Sequence, residues 1–127
     1  MSKQIIQTDN APAAVGPYSQ AIIANGFVFT AGQVGLVPGT KDFAEGGVQA
    51  QARQALNNVQ AILQAAGTRM DQIVKATVFL ANMDDFAAVN EVYAEFFTGE
   101  PPARSAVQVA RLPLGALVEI EVIALAG

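Results

Sequence analysis

The ten residues from Ala116 to Leu125, Ala-Leu-Val-Glu-Ile-Glu-Val-Ile-Ala-Leu, constrain this chain more than any other stretch. Aliphatic and β-branched residues dominate them, so they read as a strand. Successive side chains of a strand point to opposite faces, which puts Ala116, Val118, Ile120, Val122 and Ala124 on one side. Leu117, Glu119, Glu121, Ile123 and Leu125 fall on the other. A strand apolar on both faces is usually covered on both faces. Glu119 and Glu121 are then caught in the cover, where a carboxylate is costly unless it is paired, hydrogen-bonded or protonated. The pattern calls for a sheet covered on two sides and marks two carboxylates in need of a partner or a ligand.

The covering elements can be read along the chain. Ser19 to Ala24 and Phe27 to Ala31 flank Asn25-Gly26, the dipeptide suited to a two-residue type I′ hairpin turn. Gln4 to Gln7 offers a possible short strand. Residues 34 to 47, with Gly35, Pro38, Gly39, Gly46 and Gly47, read as a loop or an irregular excursion. From Val48, apolar residues at 52, 55, 56, 59, 62, 63 and 66 keep helical spacing, and Gly67 suits the position just past the helix. Ile73 to Leu80 reads as a strand. A second helix is expected from Asp84 as N-cap, carrying Phe86, Val89, Val92, Tyr93, Phe96 and Phe97 until Gly99 and Pro101-Pro102 stop it. Its Met and Phe positions read as core. There is no internal repeat, linker or low-complexity tract, so the 127 residues are expected to form a single domain. Two helices cover only one face of such a sheet. Identical subunits are the economical cover for the second, and a trimer closed through its sheets is the expectation.

Composition narrows the chemistry. The chain has no His and no Cys. Mechanisms built on Ser-His-Asp, Cys-His or a histidine-ligated zinc are therefore impossible, and no cofactor or metal is expected. Any catalysis must draw on Arg, Glu, Asp, Tyr, Asn, backbone and water. A net charge of −4 with unclustered Lys and Arg supplies no basic footprint, so neither nucleic acid nor an anionic membrane is expected as a partner. With no run of apolar residues long enough to span a bilayer and no signal-like N-terminus, the reading is a soluble cytoplasmic protein.

Against that background Arg104 stands out. It follows Pro101-Pro102-Ala103 and opens a strand, so its planar fork is carried by a constrained backbone and suits a carboxylate. That carboxylate is either a ligand's or that of Glu119 or Glu121. Of the two glutamates, one could orient water or carry a proton while the other sits in an ordinary ion pair. Asn90 lies on the apolar side of the second helix, as a buried cap or a ligand contact. Gly16-Pro17-Tyr18 presents an aromatic hydroxyl on a fixed turn, and Thr30-Ala31-Gly32-Gln33 ends a strand at a glycine through which backbone could approach a ligand.

These segments together resemble the Rid family of reactive-intermediate deaminases, also called YjgF-type proteins. The resemblance spans nearly the whole chain. It rests on residues 10 to 20 (Asn-Ala-Pro-Ala-Ala-Val-Gly-Pro-Tyr-Ser-Gln), 30 to 33, 51 to 59, 74 to 80 and 85 to 90. Pro-Pro-Ala-Arg-Ser-Ala-Val (101 to 107), Ala-Arg-Leu-Pro (110 to 113) and Val-Glu-Ile-Glu (118 to 121) are its most specific part. The resemblance implies an α+β, chorismate-mutase-like subunit: one mixed sheet with two helices on one face, the sheets closing into a homotrimeric barrel with sites between subunits. It implies hydrolysis of 2-imino acids and their enamine tautomers, such as 2-aminoacrylate and 2-aminocrotonate, to 2-keto acids and ammonia. Arg104 would bind the substrate carboxylate and Glu119 would position the water. Tyr18, Gly32, Asn90 and Pro113 match pocket positions. Many members carry Ser where Ala31 stands and Cys where Ala106 stands, so a hydroxyl contact and any thiol chemistry are missing here. The rival expectations are a trimer that binds small carboxylates without turnover, a holdase for unfolded chains, and an RNA-directed translation inhibitor.

Overall fold

The computed structural model describes residues 2–127. Its strands are β1 (Gln4–Ile6), β2 (Ala21–Ala24), β3 (Phe27–Thr30), β4 (Gln33–Val34), β5 (Ile73–Leu80), β6 (Ala103–Gln108) and β7 (Val118–Leu125). Its two α-helices are α1 (Val48–Ala65) and α2 (Phe86–Phe96). The strands form one mixed sheet in the order β1-β2-β3-β7-β5-β6, with β4 also paired to β7. Only β5 and β6 are parallel, joined across α2, which leaves β6 at an edge. This is the expected α+β architecture.

The local signals that predicted these elements are visible in the backbone. Asn25 and Gly26 both take positive φ, 51° and 82°, as a type I′ turn requires. At the end of α1, Gly67 N–H donates to Gln64 O and Thr68 N–H to Leu63 O, the paired bonds of a Schellman cap around a left-handed glycine.

Two expectations need correction. The segment from residue 34 does not begin as loop: Val34, with Gln33 before it, pairs with β7, and only beyond it does the chain make the irregular excursion, closed by the bridge between Leu36 and Phe43. Asp84 does not cap the second helix either. Asn82, in extended backbone, accepts from Asp84 N–H at 2.9 Å and starts a 3-10 turn, Met83–Asp85, that runs into α2. Asp84 lies one step inside the turn whose amides need capping.

Both helices lie against one face of the sheet. Val118, Ile120, Val122 and Ala124 of β7 are buried there with Ala76, Val78 and Leu80 of β5, Leu56, Val59, Ile62 and Leu63 of α1, and Val89 and Val92 of α2. Asn58 of α1 is buried among them because its amide donates to Val34 O and Leu36 O, tying the chain after β4 to the helix. The outer face is different. Ile5, Phe29, Val107 and Leu125 are 62%, 42%, 41% and 42% exposed on it, an apolar surface left without cover by the described residues.

Candidate functional site

Arg104 is the second residue of β6. Its neighbour across β5 is Ala76, which in turn pairs with Val122, and both belong to the helix-covered face. Arg104 therefore points toward α2. There Phe86, Asn90 and Tyr93, spaced at i, i+4 and i+7, form one stripe of the helix. Arg104 Nη1 donates to Asn90 Oδ1 at 2.8 Å, and its guanidinium carbon lies 4.8 Å from the centroid of the Tyr93 ring and 5.4 Å from that of Phe86. Neither Glu119 nor Glu121 pairs with it. The ion pairs among the described residues are Arg53–Glu95 and Arg69–Asp71, both on the surface. Beside Arg104 a cleft of ≈ 490 Å³ opens between Asn90, Tyr93, Phe97 and the two prolines 101 and 102. Tyr93 is buried, and its hydroxyl has no hydrogen-bond partner among the described residues. Burial pushes the phenol pKa up, and the Arg104 charge opposes the shift.

Glu119 lies on the opposite face of the sheet. It pairs with Val34 on one side and with Phe79 on the other, in a row that continues to Val107. Between the Phe29–Ile123 and Gln33–Ile120 pairs, Thr30, Ala31 and Gly32 face only Glu121 and Val122, so the strand bulges there. Thr30 Oγ1 closes the gap by accepting from Val122 N–H at 3.0 Å. Gly32, within this bulge, is the seat of the carboxylate: a Cβ on it would stand 2.7 Å from Glu119 Cδ and 2.8 Å from Oε2. Half-burial, and then the charge of Glu121, raise the Glu119 pKa above the ordinary carboxylate value.

The remaining candidate residues are spread around these two clusters. Ala31 lies in the bulge and donates its N–H to Gln20 O at 2.9 Å. The Tyr18 ring is half exposed, and its hydroxyl accepts from Val15 N–H at 3.3 Å. Ala106 pairs with Val78 and packs against the core on Arg104's face. Pro113 starts the short turn before β7, followed by Leu114, which is 69% exposed at φ 59°, a strained conformation for a leucine. A single chain thus brings Arg104 together with Asn90, and Glu119 together with Gly32, but keeps the two clusters on opposite faces of the sheet.

Sequence reasoning did not find the aromatic support of Arg104, since Phe86 read only as core. The i, i+4, i+7 spacing with Asn90 was the available signal. It also passed over Gln20, whose buried amide accepts from Thr8 N–H and donates to Thr8 O and Pro12 O, fixing the segment that leads to Tyr18.

The profile described as Endoribonuclease L-PSP matches residues 8–126. The chain is 56% identical over 126 residues to a RutC family protein of Synechocystis sp., covering 98% of this chain and 97% of the other. It is 50% identical over 125 residues to the mouse protein named 2-iminobutanoate/2-iminopropanoate deaminase, covering 98% and 93%. Among solved structures, a Rid-family protein of Yersinia pestis superposes with a TM-score of 0.95 at 50% identity, covering 98% of this chain and 100% of that one.

Proposed function

The chain belongs to the endoribonuclease L-PSP family, which includes the Rid proteins its sequence resembles, and from that premise we propose that it hydrolyses 2-imino acids to 2-keto acids and ammonia. The observation that carries the reading is Arg104: a partly buried guanidinium on an aromatic bed, bonded to Asn90, with no carboxylate of its own chain among the described residues to neutralise it. Such a group is prepared for an anion supplied from outside. A 2-imino acid carries its carboxylate next to the electrophilic C=N carbon. Anchoring the carboxylate therefore fixes the carbon that water attacks.

The chemistry needs nothing the chain lacks. Water adds its oxygen to the imine carbon while one of its protons passes to a carboxylate, and the nitrogen takes up protons. The tetrahedral carbinolamine then breaks its C–N bond, ammonia leaves, and the C=O bond of the keto acid forms. Glu119, at the edge of its bulge, is suited to orient that water and carry its proton, because a raised carboxyl pKa makes it a better base than an ordinary glutamate. Arg104 and Glu119 lie on opposite faces of one chain, so the complete site is formed where copies meet. The uncovered outer sheet face with Phe29, Val107 and Leu125 supplies the surface for a homotrimer. Tyr18, Ala31, Gly32, Asn90, Ala106 and Pro113 line the site in this reading. The acidic chain, at net charge −4, favours this small-anion chemistry at one arginine over RNA tracking, despite the family's name.

The test is keto-acid release from a serine/threonine dehydratase reaction, followed with and without the protein while semicarbazide competes for free imine. Acceleration by wild type and none by Arg104→Ala is expected, with a loss of about 2–5 kcal/mol of binding for the charge pair. Equal acceleration by both proteins would remove Arg104 from the mechanism.

A further inference from the structure

The stripe Phe86, Asn90, Tyr93 on α2 does more than close the core. An arginine side chain free in solvent loses rotamer freedom when its fork is fixed. Arg104 has already lost much of it. One hydrogen bond to Asn90 orients Nη1, and two ring centroids at 4.8 and 5.4 Å lie within cation–π range of the guanidinium carbon. Tyr93 itself packs on Phe97, with ring centroids 4.5 Å apart, so the aromatic bed extends to the end of α2. The other N–H groups of Arg104 meet no acceptor among the described residues.

We infer that Phe86 and Tyr93 are positioning residues for substrate binding: their ring faces hold the Arg104 fork in the geometry that receives a carboxylate, and so set the KM for the anionic substrate. This rests on the imine-hydrolysis reading of Arg104. It assigns the work to the rings and not to the Tyr93 hydroxyl, which bonds to none of the described residues. Phenylalanine at this position keeps the π face, whereas leucine keeps the bulk and loses it. Because the carboxylate is held alike in the bound substrate and in the transition state, loss of the bracket raises KM and leaves kcat in place.

Two measurements test this on the full-length protein. In the dehydratase-coupled assay, Phe86→Leu and Tyr93→Leu are expected to raise KM about fivefold to thirtyfold, with kcat within about twofold of wild type. Tyr93→Phe, which keeps the ring, is expected to rescue the KM lost in Tyr93→Leu. By ¹⁵N NMR of the arginine side chains, the signal missing from Arg104→Ala identifies Arg104 in wild type. Restricted rotation about its guanidinium bonds is expected, and faster rotation in Phe86→Leu. A freely rotating Arg104 in wild type overturns the inference even if Tyr93→Leu fails to fold. Unchanged KM in the Leu variants, with Arg104→Ala inactive, overturns it while leaving the reaction assignment intact. A raised KM in Tyr93→Phe shifts the role to the hydroxyl and overturns it too. Full activity of Arg104→Ala removes Arg104 from substrate binding and overturns the inference with it, whereas no acceleration by wild type removes the reaction assignment itself.

Discussion

Glu119 is pulled in two directions. Its carboxyl is half-buried beside Glu121, and both desolvation and that neighbouring charge raise its pKa, so the fold favours the protonated form. A carboxyl whose pKa is higher folded than unfolded lowers stability once it ionises. The cost is complete above the folded pKa and disappears below the unfolded value, near 4.3. Glutamine mimics the protonated acid and avoids the cost. Glu119→Gln is therefore expected to melt higher than wild type at pH 7, with the difference vanishing below about pH 4. Under the proposed role of Glu119, the rate of imine hydrolysis is expected to fall by roughly 10²- to 10³-fold in this variant with substrate binding kept. Melting curves at the two pH values and steady-state rates at pH 7 check both halves. A variant less stable than wild type at pH 7 would mean that a cation from another copy neutralises Glu119.

At the scale of elements, the bulge between β3 and β4 converts a residue choice into site geometry. Gly32 is not in the left-handed region, so its backbone accepts alanine. The difficulty is the added Cβ, 2.7 Å from Glu119 Cδ, a distance real contacts do not reach. Gly32→Ala is expected to fold, to displace the carboxylate, and to lower kcat on the order of 10²-fold, the usual consequence of a misplaced catalytic group. Since both changes act through one carboxylate, Gly32→Ala with Glu119→Gln should be no worse than the poorer single variant. Additive losses would separate Gly32 from Glu119. Nothing in the sequence showed this contact. The hairpin at Asn25-Gly26, the helix ended by Gly67 and the strand at Ile73–Leu80 were legible because each carries a period or a turn requirement over several residues. Gln33–Val34 is too short to show a period, and Asn82 was hidden as a cap by the acidic residues that follow it. Arg104 and Glu119 were conspicuous as charges among apolar neighbours. Which face each would occupy depends on the parallel β5–β6 register, and spacing along one strand carries no information about that.

At the scale of the whole molecule, the two faces of the sheet decide how many chains a site needs. Arg104 lies with α2 on the covered face at the β6 edge, and Glu119 lies two strands away on the open face. No side-chain rearrangement within one folded subunit joins them. If copies assemble through the apolar outer face, the Arg104 cluster of one meets the Glu119 cluster of the next, and each site draws on two chains. Subunit mixing tests this directly. Arg104→Ala and Glu119→Gln proteins, each nearly inactive alone, are mixed in equal amounts, dissociated and reassembled. A site is intact wherever a Glu119→Gln chain supplies Arg104 and its Arg104→Ala neighbour supplies Glu119. Random exchange makes that about a quarter of all sites in a closed ring, so about a quarter of wild-type activity is expected to return. If one chain furnished both residues, every site in the mixture would carry one defect, and exchange confirmed by mass spectrometry would restore nothing.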